Sequence, residues 1–199
     1  MNEIKTVAVF CGSNSGVNPA YTQAASDLGA LLAKQNINIV FGGANVGLMH
    51  SLASSALEQG GYVTGVMTAF LEAKELVYEG VSESIIVDTM PERKKIMFDR
   101  SDAFILLPGG TGSYEEFFEI WTLVQLHKQL KPLGILNIAN FYDPMLAMLK
   151  NAVAEKFMAE EHFNMAAVSE QVDDILEKMR QVDLSYRPEW LDAELNTKD

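Results

Sequence analysis

Residues 103–113 read AFILLPGGTGS, an apolar run followed at once by three glycines in four residues. The unbroken apolar run is typical of a strand that is buried on both faces of a sheet. Because a helical pattern then continues to about Lys128, the stretch predicts a strand, a tight loop and a helix in succession. The same order of elements is predicted for residues 4–35 and 37–58.

Short apolar runs and helical patterns alternate along the rest of the chain. Predicted strands cover residues 4–10, 37–41, 62–66, 85–87, 103–107, 133–138 and 166–168, the last as an edge strand. Predicted helices end near 35, 58, 100, 128, 157 and 181, and residues 70–83 are expected to form a loop with a helical turn. The pattern predicts an α/β, doubly wound, mostly parallel sheet with helices on both faces.

The composition is that of one globular domain, with 199 residues of which 48% are apolar. We expect a single α/β domain over residues 1–184 and a loosely held polar tail over 185–199. Cys11 is the only cysteine, so no internal disulfide can form. No apolar run has the length of a membrane span or a signal peptide. These features predict a cytoplasmic protein that does not enter a membrane.

The net charge of −12 makes the chain a poor partner for nucleic acid, whose phosphates require a basic surface. Basic residues nevertheless crowd together at Arg93, Lys94, Lys95 and Arg100. In an acidic chain such a cluster is either an anion site or a solvated helix face, and composition leaves both open.

Three loops that follow predicted strands, at 12–16, 42–47 and 109–113, are rich in glycine and small polar residues. Ligands of parallel sheets bind at the carboxyl ends of the strands, so the three loops are expected to share one site. In the third loop, glycines let the backbone approach an anion, and the helix that follows offers free N–H groups. Thr111 and Ser113 add hydroxyl donors. The alternative is a tight turn without a ligand.

The third loop lacks two common nucleotide motifs. No Gly-Lys-Ser/Thr follows its glycines, as a P-loop requires, and the dinucleotide fingerprint would need a further glycine. ATP hydrolysis and NAD binding are therefore not expected. Glu116 follows Ser113 at the spacing of a capping box, and this spacing alone favours a helix cap over a carboxylate that faces the ligand.

Two segments resemble the LONELY GUY (LOG) family of phosphoribohydrolases. Residues 108–116, PGGTGSYEE, are similar to its PGGxGTxxE signature, and residues 90–97, MPERKKIM, resemble its MHxRKAxM segment. Pro91 stands where the family usually has His, and His50 where it usually has Gly. Further matches within residues 5–180 are FCGS at 10–13, GG at 42–43, VGLM at 46–49, SDAF at 101–104 and KP at 131–132.

The resemblance implies a Rossmann-like, nucleotide-binding fold, usually a homodimer, and a part in cytokinin biosynthesis. It implies hydrolysis of an N6-modified adenosine 5′-monophosphate to free base and ribose 5-phosphate. Arg93 and Glu116 match the catalytic pair. The substrate-binding positions expected from the loops and the resemblance are Gly12, Ser13, Gly42, Gly43, Glu75, Lys94, Gly109, Gly110, Thr111, Gly112, Ser113 and Glu115.

Cleavage of an N-glycosidic bond builds positive charge on the ribose, as in glycoside hydrolysis. We assign to Glu116 the carboxylate that stabilises this charge and orients or deprotonates water. The guanidinium of Arg93 suits either phosphate binding or holding a carboxylate in place. No metal or cofactor is expected, because the three histidines show no ligand spacing. Cys11 is expected to be a small buried residue rather than a nucleophile.

Two other functions fit parts of the sequence. A nucleotide-binding or carrier protein of the same fold would not need the pair of Arg93 and Glu116. A lysine decarboxylase, a label that members of the family carry, would need a Schiff-base lysine with pyridoxal phosphate, and Lys94 and Lys95 show no such arrangement. The helix over 114–127 is apolar nearly all round, which predicts either a dimer contact or a buried core helix.

Overall fold

The computed structural model describes residues 3–74 and 77–186. Its strands are β1 Thr6–Phe10, β2 Asn38–Phe41, β3 Val63–Thr68, β4 Glu83–Val87, β5 Ala103–Leu106, β6 Leu133–Leu136 and β7 Ala166–Ser169. Its helices are α1 Pro19–Lys34, α2 Gly47–Glu58, α3 Ala69–Glu72, α4 Met90–Asp99, α5 Thr111–Gln125, α6 Asp143–Ala154, α7 Glu160–Phe163 and α8 Ile175–Gln181, with a 3-10 turn at Ile138–Asn140.

The strands form one sheet in the order β4-β3-β2-β1-β5-β6-β7, and each neighbouring pair is parallel. The predicted doubly wound α/β fold is therefore confirmed, and this sheet is parallel throughout rather than mostly so. The chain runs outward from β1 to β4 and then returns to β5 on the other side of β1. Such a reversal opens a crevice at the carboxyl ends of β1 and β5, where ligands of this fold class bind.

Helices cover both faces of the sheet, which explains why the strands are apolar without alternation. Each face has its own apolar cluster. Buried side chains of α1, α2 and α8 fill one cluster, and those of α4, α5 and α6 fill the other. The sheet is thus fixed from both sides, so the loops at its carboxyl edge start from rigid strand ends.

The structure differs from the predicted elements in one additional helix and in several element boundaries. Helix α7 was not predicted, because four residues carry too little periodicity. Strand β3 continues to Thr68, which pairs with Val87. Strand β4 begins at Glu83, the last residue of the predicted loop. Residues 187–199 of the predicted tail lie outside the described residues. Across the described ranges, no helix is long and apolar enough to span a bilayer.

Candidate active site

A cavity of about 300 Å³ lies at the carboxyl edge of the sheet, over β1 and β2. One part of its wall is polar and comes from the loop after β1 and from the start of α5. The other part is apolar. The lining residues are Val9, Phe10, Cys11, Gly12, Ser13, Gly42, Met49, Leu71, Met90, Arg93, Gly110, Thr111, Gly112, Ser113 and Glu116.

The loops after β1 and β5 are joined by a backbone hydrogen bond, because the Gly12 amide donates to the Pro108 carbonyl oxygen at 3.0 Å. Helix α2 is tied to the same loop, since the Leu48 amide donates to the Gly12 carbonyl oxygen at 3.1 Å. Gly47 has a φ of 53°, and a Cβ built on it would lie 2.4 Å from the Ser13 carbonyl carbon. Only glycine fits this close crossing. The structure thus brings the three glycine-rich loops together.

The N-terminus of α5 faces the cavity with free backbone donors. Gly110 is the N-cap, and no side chain caps the helix. The first backbone hydrogen bond of the helix runs from the Tyr114 amide to the Gly110 carbonyl oxygen at 3.1 Å, so the amides of residues 111–113 precede it. The helix-cap alternative for Glu116 is wrong, because its carboxylate accepts from Arg93 instead. Free amides at a helix N-terminus favour an anion.

Arg93 and Glu116 form a buried ion pair in the cavity wall. Arg93 Nη1 donates to Glu116 Oε1 at 2.7 Å, and the two side chains are only 10% and 13% exposed. Arg93 Nε donates to the Val66 carbonyl oxygen at 2.8 Å, and Nη1 also reaches Met90 Sδ at 3.3 Å. Two edges of the guanidinium are therefore fixed by β3 and α5, which orients Arg93 toward the carboxylate.

Gly42 makes room for the remaining guanidinium nitrogen. A Cβ built on Gly42 would lie 2.6 Å from Arg93 Nη2 and 3.0 Å from Met49 Sδ. The position therefore accepts no side chain while Arg93 holds its place. The glycine-rich loop after β2 thus lines the cavity at Gly42 and also leaves space there for Arg93.

Burial raises the pKa of Glu116 above its ordinary value, and the neighbouring Arg93 charge opposes that rise. Burial likewise raises the pKa of the Cys11 thiol, with a smaller contribution from Glu116, so Cys11 stays a neutral thiol. A partly desolvated carboxylate of raised pKa is a better proton acceptor than a solvated one. The cavity therefore combines a basic carboxylate, a fixed cation and a helix N-terminus.

The four residues of the predicted basic cluster separate in the structure. Arg93 lines the cavity, whereas Lys94 pairs with Glu115 and Glu119 on α5. The other two have local partners, Asp99 for Lys95 and Glu83 for Arg100. The cluster is thus neither one anion site nor one solvated face.

The predicted site residues fall into four groups. Nine line the cavity, namely Gly12, Ser13, Gly42, Arg93, Gly110, Thr111, Gly112, Ser113 and Glu116. Gly109 lines an adjoining cavity of about 220 Å³. Gly43, Lys94 and Glu115 line neither of these two cavities, and Glu75 lies outside the described residues.

Sequence reasoning missed the apolar wall formed by Met49, Leu71 and Met90. Met49 and Met90 lie in segments that resemble the family, but an apolar side chain carries no chemical signal of its own. Leu71 lies on the short helix α3, at the start of the stretch that was predicted to form a loop with a helical turn.

A family model described as "Possible lysine decarboxylase" matches residues 49–179. A cytokinin riboside 5′-monophosphate phosphoribohydrolase of Arabidopsis thaliana is 40% identical, over 79% of this chain and 74% of that protein. The enzyme of the same name from Rhodococcoides fascians is 41% identical, over 77% of this chain and 78% of that protein. The chain belongs to the LONELY GUY family.

The similarity of this LONELY GUY chain to solved structures concerns its fold and not its function. The molybdenum cofactor carrier protein of Chlamydomonas reinhardtii has a TM-score of 0.69 at 17% identity, over 90% of this chain and 98% of that chain. The molybdenum cofactor binding protein of Rippkaea orientalis has a TM-score of 0.66 at 22% identity, over 89% and 96%. One fold thus serves proteins of different ligands, so the function of this LONELY GUY chain follows from its site.

The lysines of this LONELY GUY chain do not suit the decarboxylase named by the family model. Among the described residues, no lysine lines the cavity. The amino group of Lys94 lies between two carboxylates, and that of Lys131 donates to the Phe98 carbonyl oxygen at 2.8 Å. A Schiff-base lysine would have to reach a cofactor in the cavity.

Proposed function

We propose that this chain hydrolyses the N-glycosidic bond of an N6-modified adenosine 5′-monophosphate. Water adds to the anomeric carbon, the carbon–nitrogen bond breaks with its electron pair going to the base, and the base takes up a proton. The products are the free base and ribose 5-phosphate. The observation that carries this proposal is the buried pair of Arg93 and Glu116 beside the free amides of α5.

In this arrangement the 5′-phosphate lies at the N-terminus of α5. The amides of residues 111–113 and the exposed hydroxyl of Thr111 donate to it. The ribose then extends along the cavity toward Glu116, and the base lies against Met49, Leu71 and Met90. The residues at 1–184 serve in this proposal as a single nucleotide-binding domain.

Glu116 performs the chemistry and Arg93 positions it. The Glu116 carboxylate takes a proton from the attacking water and stabilises the positive charge that develops on the ribose. The burial that raises the pKa of Glu116 makes it the stronger base, and the Arg93 charge opposes that rise and so favours the ionised carboxylate. Arg93 Nη1 already donates a hydrogen bond to Glu116 at 2.7 Å. We therefore assign Arg93 to binding this carboxylate rather than the phosphate.

The experiment that tests this function is a substrate panel with two readouts, free base and ribose 5-phosphate. We expect release from AMP and N6-modified AMP, and little release from the corresponding nucleosides, which lack the phosphate. A carrier of this fold would instead bind the nucleotide saturably without releasing base. Equal release from nucleosides and nucleotides would contradict the phosphate site at α5.

Replacing Gly42 by alanine is expected to lower kcat/KM roughly tenfold to a hundredfold, because the new methyl group displaces Arg93 Nη2. The measurement is steady-state release of ribose 5-phosphate. In an Arg93→Ala background, Gly42→Ala is expected to have little further effect, since its target is already gone. Additive losses would show that Gly42 acts on something other than Arg93.

We also propose that the protein is a cytoplasmic homodimer. Four apolar side chains of α5 pack inside the chain's own core, as the core-helix alternative predicts: Phe117, Ile120, Trp121 and Val124. The partly exposed Leu123 and Leu126 are not part of this cluster and remain for a second subunit. Light scattering at micromolar concentration is expected to give twice the chain mass of 22.0 kDa, and the mass of one chain would refute the dimer.

A further inference from the structure

The apolar wall of the cavity is not equally well anchored along its length. Met49 lies on α2, a helix of twelve residues, and packs against one of the two apolar clusters. Leu71 lies on α3, which has only four residues. Among the described residues, Leu71 belongs to neither apolar cluster. Its position therefore depends on how the segment that carries it is fixed to the rest of the molecule.

Leu71 lies in the connection between β3 and β4, residues 69–82, which we call the β3–β4 segment. The structure describes this segment at residues 69–74 and 77–82. Where the segment leaves β3, the Leu71 amide donates to Thr68 Oγ1 at 3.3 Å. This hydrogen bond caps α3 but joins it only to the end of its own strand. The segment therefore needs a second attachment before Leu71 can form a firm wall.

The second attachment is to the glycine-rich loop after β2. The Tyr78 amide donates to the Gly43 carbonyl oxygen at 3.0 Å. Beside it, Val77 and Ala44 form an isolated antiparallel bridge. The β3–β4 segment thus returns over the carboxyl end of β2 and is bound to the loop whose Gly42 lines the cavity.

His50 reinforces this attachment from α2. Its ring lies against the ring of Tyr78, with the centroids 5.6 Å apart and the planes inclined by 39°. His50 Nδ1 bonds to Asn45 Oδ1 at 2.6 Å, and since an amide oxygen can only accept, Nδ1 is the donor. This bond fixes the orientation of the imidazole. Because His50 directly follows Met49, the contact joins two parts of the cavity wall, α2 and the β3–β4 segment.

The contact matters because an apolar wall excludes a large group only as far as it resists displacement. A pocket that yields accepts extra atoms at little cost, whereas a fixed pocket discriminates between ligands by size. His50 itself does not line the cavity. Its effect on a ligand must therefore act through the β3–β4 segment and Leu71.

We propose that His50 is a specificity-determining residue: by packing against Tyr78 it holds the β3–β4 segment, and with it Leu71, in place and so limits the size of the N6 substituent. The inference rests on the proposed function, in which the base lies against Met49, Leu71 and Met90. The wild type therefore favours AMP without a bulky N6 substituent over AMP that carries one.

The test compares kcat/KM for N6-benzyl-AMP with kcat/KM for AMP in the wild type and in variants of His50. We expect His50→Ala to raise this ratio about fivefold to tenfold, because the loss of one ring contact lets the wall yield. The value of kcat/KM for AMP should change less than about twofold. His50→Phe keeps an aromatic ring against Tyr78, so its ratio should stay near that of the wild type.

Tyr78→Leu removes the other ring of the same contact. We expect it to raise the ratio as His50→Ala does, and the double variant to add little to either change. Tyr62→Ala is the matched control, because Tyr62 precedes β3 at the opposite edge of the sheet and its ring is exposed. This control should keep the ratio of the wild type. An equal rise in Tyr62→Ala would overturn the proposal.

Hydrogen exchange tests the structural step without any ligand. The Tyr78 amide is protected by its bond to Gly43, and we expect it to exchange faster in His50→Ala than in the wild type. The amides of the central strand β1 should be unaffected. Unchanged exchange at Tyr78 would contradict the claim that His50 holds the β3–β4 segment.

Binding distinguishes a failure of this inference from a failure of the proposed reaction. In a Glu116→Gln background, calorimetry with AMP and N6-benzyl-AMP needs no turnover. We expect His50→Ala to improve the affinity for N6-benzyl-AMP relative to AMP about fivefold. If the wild type releases no base but this shift occurs, the reaction is wrong and the size limit stands. An unchanged ratio, or an equal loss for both nucleotides, would overturn the role of His50.

Discussion

Replacing Glu116 by glutamine is expected to lower kcat/KM for ribose 5-phosphate release by about a thousandfold. Glutamine has nearly the same shape and still accepts a hydrogen bond from Arg93 Nη1, so the cavity wall stays in place. It cannot take a proton from water, and it offers less negative charge to the developing cation. The measurement is steady-state release of ribose 5-phosphate at neutral pH.

Binding separates a chemical defect in this variant from a folding defect. The amides at the start of α5 do not depend on Glu116, so Glu116→Gln should bind ribose 5-phosphate or AMP within a few-fold of the wild type in calorimetry. Its circular dichroism and thermal unfolding should also resemble those of the wild type. Full activity in this folded variant would contradict the assignment of Glu116 as the base.

Replacing Arg93 by alanine is expected to lower kcat/KM by a hundredfold to a thousandfold. Glu116 would lose its fixed partner together with the main charge that opposes the rise of its pKa. That pKa would climb further, so the residual activity should fall off at a higher pH than in the wild type. The measurements are the rate and its pH profile.

Arg93→Lys and Arg100→Ala are the informative companions of this variant. Lysine keeps the charge but lacks the planar fork with which arginine binds both the Val66 carbonyl oxygen and Glu116. We therefore expect the Arg93→Lys protein to have a lowered rate as well. Arg100 pairs with Glu83 away from the cavity, and its loss should leave the rate unchanged. A fully active Arg93→Ala protein would remove Arg93 from the mechanism.

The fold was predictable because its signals are local. An apolar run such as 103–107, a glycine loop and a helical period follow from a few adjacent residues. Strand order was not predicted, since it depends on contacts between segments far apart in the chain. Helix α7 was not predicted either, because its four residues are too few to show a helical period.

The candidate site was predictable only in part. Parallel strands place their carboxyl ends at one edge, so the three loops could be expected to meet. No spacing connects Arg93 with Glu116, which lie 23 residues apart on different helices. Their pairing came from the family resemblance alone, and capping-box spacing pointed to a different role for Glu116.

The contacts of Gly42 and Lys94 could be recognised only from the positions of side chains in the structure. Gly42 belongs to a glycine-rich loop and was predicted as a substrate-binding position, whereas its lack of a Cβ leaves space for Arg93 Nη2. Lys94 belongs to a basic cluster, which suggests an anion site, and its amino group pairs with two carboxylates of α5. Both sets of contacts depend on where α4 lies relative to its neighbours, and one-dimensional patterns do not encode that position.

The most direct test of the central claim is to incubate the wild-type protein with N6-modified AMP and count both products. We expect free base and ribose 5-phosphate to appear in equal amounts over many turnovers, and the Glu116→Gln protein to bind the same nucleotide while releasing almost none. Saturable binding by the wild type without release of base would contradict the account.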